Sequence, residues 1–159
     1  MPAELPSPSA LFWQPAALAD APAVLGLMQD FYAEEGLDFD GRIQGRALDV
    51  LLTRADLGAV YLLRLADAGD ALGHLVLTRG HSLEFGGAFM LLDELYLRPE
   101  IRGRSEGRRA LAFAADQARA AGANALRLEV AHANTRARAA YARAGFATET
   151  RDLMTLRLA

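Results

Sequence analysis

The sequence predicts a single α/β (or α+β) domain built on a mixed sheet, and three features of its 159 residues carry that reading. Short apolar runs with strand-like composition alternate with longer stretches whose apolar residues recur at helical spacing. They follow the order β-α-α-β-β-β-α-β-α-β, which suits a sheet with helices packed on it. Glycines and prolines stand at the joints, and no internal repeat or linker divides the chain. The expected architecture is a sheet of six to seven strands flanked by about four helices, covering residues 10–159. Residues 1–9, rich in Pro and Ser, read as a flexible tail.

Each element has its own signal. "ALFWQPA" (10–16) is a short apolar strand ahead of a proline. In "LADAPAVLGLMQDFYAEEG", Asp20 can cap a helix in which Val24, Leu27, Met28 and Phe31 share one face, and Gly36 ends it. After the acidic loop "GLDFDG", a second helix is expected over 42–57, with Ala47, Leu48, Leu51 and Leu52 as its apolar stripe. "AVYLLRLA" (59–66) and "LGHLVLTRG" (72–80), separated by "DAGDA", read as a β-hairpin. "AFMLLDELYL" (88–97) is a long strand closed by Pro99, since proline cannot donate to a ladder. "EGRRALAFAADQARAA" is an amphipathic helix ended by Gly122, and "ALRLEVA" (125–131) is a strand. "NTRARAAYARAG" (134–145) is a helix with Gly145 just past its end. "FATETRDLMTLRLA" supplies one or two closing strands.

Composition narrows the function. Hydrophobic residues make up 52% and charged residues 23%, ordinary values for a globular protein. There is no cysteine, which removes thiolate nucleophiles, thiolate metal sites and disulfides. The histidines His74, His81 and His132 lack a metal-ligand spacing, so no metal is expected. No apolar run approaches the roughly 18 residues of a membrane span, and the N-terminal stretch lacks a signal peptide's basic and apolar regions. The expected location is cytoplasmic, with no membrane partner.

Charge is unevenly spread. Residues 1–97 carry 5 Arg against 14 acids, whereas residues 98–159 carry 12 Arg against 6 acids, and there is no Lys. Solvated helix faces account for this as well as a basic half facing an anion and an acidic half facing a cation. Nucleic acid is disfavoured and not expected as a partner, because the basic segment is interleaved with acids and has no aromatic stacking platform.

"EIRGRSEGRRAL" (100–111) has the outline of an anion-binding turn before a helix. Free N–H groups and the helix dipole attract anions at such a terminus, and small residues let the backbone approach a ligand. Gly103 and Gly107 suit that role, and Arg102, Arg104, Arg108 and Arg109 add charge. Ser105 departs from it: with φ negative it is harmless, but a turn requiring φ > 0 would strain it by roughly 1–2 kcal/mol.

Two segments together resemble the GCN5-related N-acetyltransferases (GNAT), over residues 10 to the end. "DELYLRPEIRGRSEG" is similar to the family's acetyl-CoA signature, with Arg102 and Gly107 matching and Ser105 in the place of its first glycine. "RLEVAHANTRARAAYARAGF" is similar to its second signature. The resemblance implies acetyl-CoA bound in a V-shaped gap between the strands near 92–97 and 125–131. Its backbone contacts would come from Leu95, Tyr96 and Leu97, and its pyrophosphate contacts from Arg102, Gly103, Arg104, Ser105, Glu106, Gly107 and Arg108. Asn134 would touch the cofactor or cap its own helix. Tyr141 would protonate the departing thiolate, and Glu94 would accept the amine's proton. Asp93 and Glu94, adjacent on a strand, are expected on opposite faces.

The acceptor, a primary amine of a small molecule or peptide, would meet Tyr32, Glu35 and Glu84. Transfer would be direct, since no cysteine can carry the acetyl group. The alternative is a non-catalytic acyl-CoA-binding or regulatory module, with Ser105 as its support. The apolar C-terminal "DLMTLRLA" suits either an inner strand or part of a homodimer interface.

Overall fold

A computed structural model of the protein describes residues 11–66 and 68–158, so the tail expected over residues 1–9 lies outside them. Among the described residues the apolar runs form one five-stranded sheet. Its strands are β1 (Leu11–Pro15), β2 (Gly58–Leu65), β3 (Ala68–Ser82), β4 (Gly87–Leu97) and β5 (Ala125–Leu128), side by side in chain order. β1 to β4 are antiparallel, and β5 lies parallel to β4. Helices α1 (Ala21–Glu35) and α2 (Gly41–Thr53) join β1 to β2. Parallel neighbours need a crossover, and α3 (Glu106–Ala120) supplies it between β4 and β5.

The chain divides into two compact units, one ending at Glu129 and the other starting at Val130. In the first, both sheet faces are covered, which explains why "AVYLLRL" reads as a nearly continuous apolar run. Val60, Leu62, Val76 and Tyr96 pack with Val24, Leu27 and Met28 of α1 and Leu48 of α2. On the other face Leu11, Leu63, Leu97 and Ile101 cluster with Trp13. Phe113 of α3 stacks on Trp13 at 5.6 Å and meets Tyr61 edge-on at 4.9 Å. The second unit holds α4 (Thr135–Arg143), whose N-terminus is capped by Asn134 Oδ1 accepting from the Ala137 N–H at 3.1 Å.

Several sequence expectations need correction. The sheet has five strands, not six to seven, because residues 146–158 form no strand. Their alternating apolar residues are strongly exposed, Met154 and Leu158 at 91% and 88%. Alternation describes fitness for a ladder and cannot supply the neighbouring edge that makes one. β5 likewise stops at Leu128, short of the expected 131, and α2 ends at Thr53 rather than 57. Asp20 precedes α1 but makes no side-chain bond to its N–H groups. Its carboxylate accepts instead from the Ala17 N–H at 2.8 Å and from Arg64 at 3.0 Å.

Candidate active site

The site is organised by β4. Opposite Val76 and Leu77 of β3 the register slips: Val76 faces Glu94 and Leu77 faces Leu92, so Asp93 is an extra residue. A bulge of this kind interrupts the two-residue alternation. Asp93 and Glu94, expected on opposite faces, therefore both line one groove, and this corrects the sequence reading.

The groove has a volume of about 440 Å³. Met28 and Tyr32 of α1 and Ile43, Leu48 and Leu51 of α2 form its walls. The two carboxylates, Val76 and Thr78 belong to its sheet floor.

Glu94 is only 7% exposed and does not sit alone. Its Oε2 lies 2.7 Å from Nε2 of His74, a side chain on β3 with no exposed surface. The rings of Phe31 and Tyr96 pack around His74 at 6.1 and 6.2 Å. His74 Nδ1 is buried with no hydrogen-bond partner among the described residues. A proton there would be stranded, so Nε2 is the nitrogen that carries it and donates to Glu94. The Tyr32 phenol stands beside Glu94, and burial first, then the charge of Glu94, raise it above its usual range, which keeps it protonated. The bond from His74 leaves lone pairs on the carboxylate for a further proton.

Asp93 is more open. Partial desolvation raises its carboxyl above the usual aspartate range, and the charges of Glu94 and Glu129 add to the effect.

Beyond the bulge no strand among the described residues pairs with β4 on its β5 side. Its pairing with β5 ends at Leu92 opposite Leu128, while pairing with β3 continues to Leu97. The Arg98 N–H donates to Leu72 of β3, whereas the Leu97 carbonyl accepts from Arg102 Nε at 2.7 Å. Period-two alternation then turns the backbone groups of Leu95 and Leu97 away from β3, toward the side that β5 has left.

The anion-binding turn follows. Gly103 and Ser105 both take left-handed backbone, at φ 75° and 65°, and Ser105 is the one non-glycine with positive φ among the described residues. The strained case of the sequence argument is the one observed. Left-handed residues alternating with ordinary ones point successive N–H groups into one concavity, here directly ahead of α3. The first α3 amide found bonding back to the turn is Arg109, to Ser105 O at 3.0 Å. A Cβ placed on Gly107 would meet nothing within 4 Å, so packing within the chain does not require glycine there. Arg104 and Arg108 are exposed.

Arg102 is turned elsewhere. It makes paired 2.7 Å bonds to Glu34 at the end of α1 and lies 5.4 Å from the centre of the Tyr96 ring. Glu34 is held below its usual range by that hydrogen bond. Glu106 is buried and pairs with Arg109 at 3.0 Å, so only its backbone faces the turn. Of the expected substrate residues, Tyr32 lines the groove, while the exposed Glu35 and Glu84 do not. In the second unit, Tyr141 packs edge-on against Phe146 at 6.0 Å. His74 escaped the sequence reading, although a histidine in the apolar alternation of "LGHLVL" was its available signal.

With that geometry in place, comparison with known proteins assigns the class. Residues 26–146 match the model of the acetyltransferase (GNAT) family, and the chain belongs to that family. A solved integron cassette protein from the mobile metagenome of Cole Harbour Salt Marsh is 33% identical, covering 92% of this chain and 90% of its own, with a TM-score of 0.79. The aminoglycoside N-acetyltransferase AAC(6')-Iy, solved with CoA, shares the fold at 16% identity and TM-score 0.79, covering 97% and 99% of the two chains. A ribosomal-protein-alanine N-acetyltransferase from Brucella melitensis biovar Abortus 2308 does so at 18% identity and TM-score 0.70, covering 94% and 100%. The curated proteins include no match. No helix among the described residues is long and apolar enough to cross a membrane.

Proposed function

We propose that the protein is an N-acetyltransferase that moves the acetyl group of acetyl-CoA to a primary amine of a small molecule or peptide, by direct attack. The observation that carries this reading is the division of labour along β4. Its bulge offers a held carboxylate to a groove, and its continuation offers backbone groups to a second ligand. The left-handed turn ahead of α3, and a glycine at 107 that packing does not demand, fit a phosphorylated ligand approaching the backbone closely.

In this reading acetyl-CoA supplies a thioester carbonyl, with its pyrophosphate on the N–H groups of residues 103–108 and near Arg104 and Arg108. Arg102 frames the turn through Glu34 and Leu97. Leu95 and Leu97 hold the adjoining arm with their backbone N–H groups, and such donors favour charge developing on a carbonyl oxygen. Glu94 takes the amine's proton, directly or through water, while His74 fixes its orientation. Asn134 caps α4. Tyr141 keeps the role implied by the family resemblance, protonation of the leaving sulfur, for which a phenol is a suitable acid.

Steady-state release of CoA thiol with an amine acceptor tests the assignment. Glu94→Gln is expected to lower kcat by about 100-fold, the ordinary contribution of a general base. Acetyl-CoA affinity should hold. Unchanged kcat in Glu94→Gln would remove Glu94 from the reaction. Tight acetyl-CoA binding without turnover on any amine, unaltered in Tyr141→Phe, would favour the non-catalytic binding module instead.

A further inference from the structure

From the groove's lining we infer the acceptor class: a monoamine with an apolar body, its ammonium on Asp93 and its body along the α2 wall. The inference rests on the proposed use of this groove as the acceptor's side. Ile43, Val50 and Leu57 are large apolar side chains left 55%, 50% and 39% exposed, and all three line this groove. Single exposed apolar residues are unremarkable, but three converging on one concavity with an acidic floor form an amphiphilic site.

Charge sets where the amine goes. The carboxylates facing the groove are Asp93 and Glu94, while Arg79 borders it but turns its guanidinium to the Ala121 carbonyl at 2.9 Å. Glu94 is buried and already bonded to His74, whereas Asp93 stands beside it, exposed and lining the groove. A single ammonium therefore finds a carboxylate at the bulge. A second ammonium along the same molecule would lie against Ile43, Val50 and Leu51, where burying a charge is costly. Polycations such as polyamines are disfavoured by the same wall that receives an apolar chain or ring.

Calorimetric titration of the full chain with 2-phenylethylamine and with spermidine, each with and without CoA, tests this alongside product analysis. The expected result is at least tenfold tighter binding of 2-phenylethylamine. Ile43→Ser, at a half-exposed position, should weaken that amine about tenfold with little effect on spermidine, and Asp93→Asn should weaken both. Tighter binding of spermidine, or no binding of either amine, overturns the inference. Binding of 2-phenylethylamine that responds to both substitutions but never leads to acetylation overturns acetyl transfer and upholds the groove's preference.

Discussion

At the scale of single residues, the turn before α3 separates structural need from ligand need. Ser105 holds a left-handed backbone that costs an L-residue about 1 kcal/mol, and glycine would adopt it without strain. Ser105→Gly is therefore expected to raise stability by about that amount in thermal unfolding, with acetyl-CoA binding kept or tightened. Gly107 is the converse: an alanine meets no protein atom there and favours the helix by up to about 1 kcal/mol. Gly107→Ala should raise Tm yet weaken acetyl-CoA at least tenfold in a calorimetric titration. Undiminished binding in Gly107→Ala would mean that no ligand approaches that backbone. The glycine pattern was legible in the sequence, and so was the question about Ser105. His74 was not, because its partner Glu94 lies 20 positions away and only strand register brings them together.

Among elements, the bulge in β4 has the largest consequence. The strand itself is plain in "AFMLLDELYL", and so are α1, α3 and the hairpin of β2 and β3. The bulge is invisible there because it arises from pairing with β3, and without it Asp93 would face away from Glu94. Its cost can be measured. Asp93 has a raised carboxyl in the folded protein, so its contribution to stability is complete below the ordinary value of 3.8 and is lost as pH rises through the raised one. Asp93→Asn removes the charge and is expected to show a higher Tm than the wild type at pH 7. That gap should close as pH falls toward 3.8 in paired melting curves. Equal melting temperatures across the range would show that Asp93 is not desolvated. The missing final strands have a related cause: residues 146–158 have strand-like alternation, but pairing depends on an edge elsewhere in the chain.

Over the whole molecule, the uneven charge of the sequence acquires a place. The acidic part contributes Asp93 and Glu94 to a groove suited to a cation, and the basic part contributes Arg104 and Arg108 beside a turn suited to an anion. Acetyl-group transfer from acetyl-CoA to an amine requires both. The most direct measurement is mass spectrometry of the products formed from acetyl-CoA and 2-phenylethylamine, with CoA release followed in parallel. The account expects one acetylated amine per CoA released, with both signals falling together in Glu94→Gln. Acetyl-CoA bound but never transferred, across a panel of primary amines extending to peptides, would contradict it.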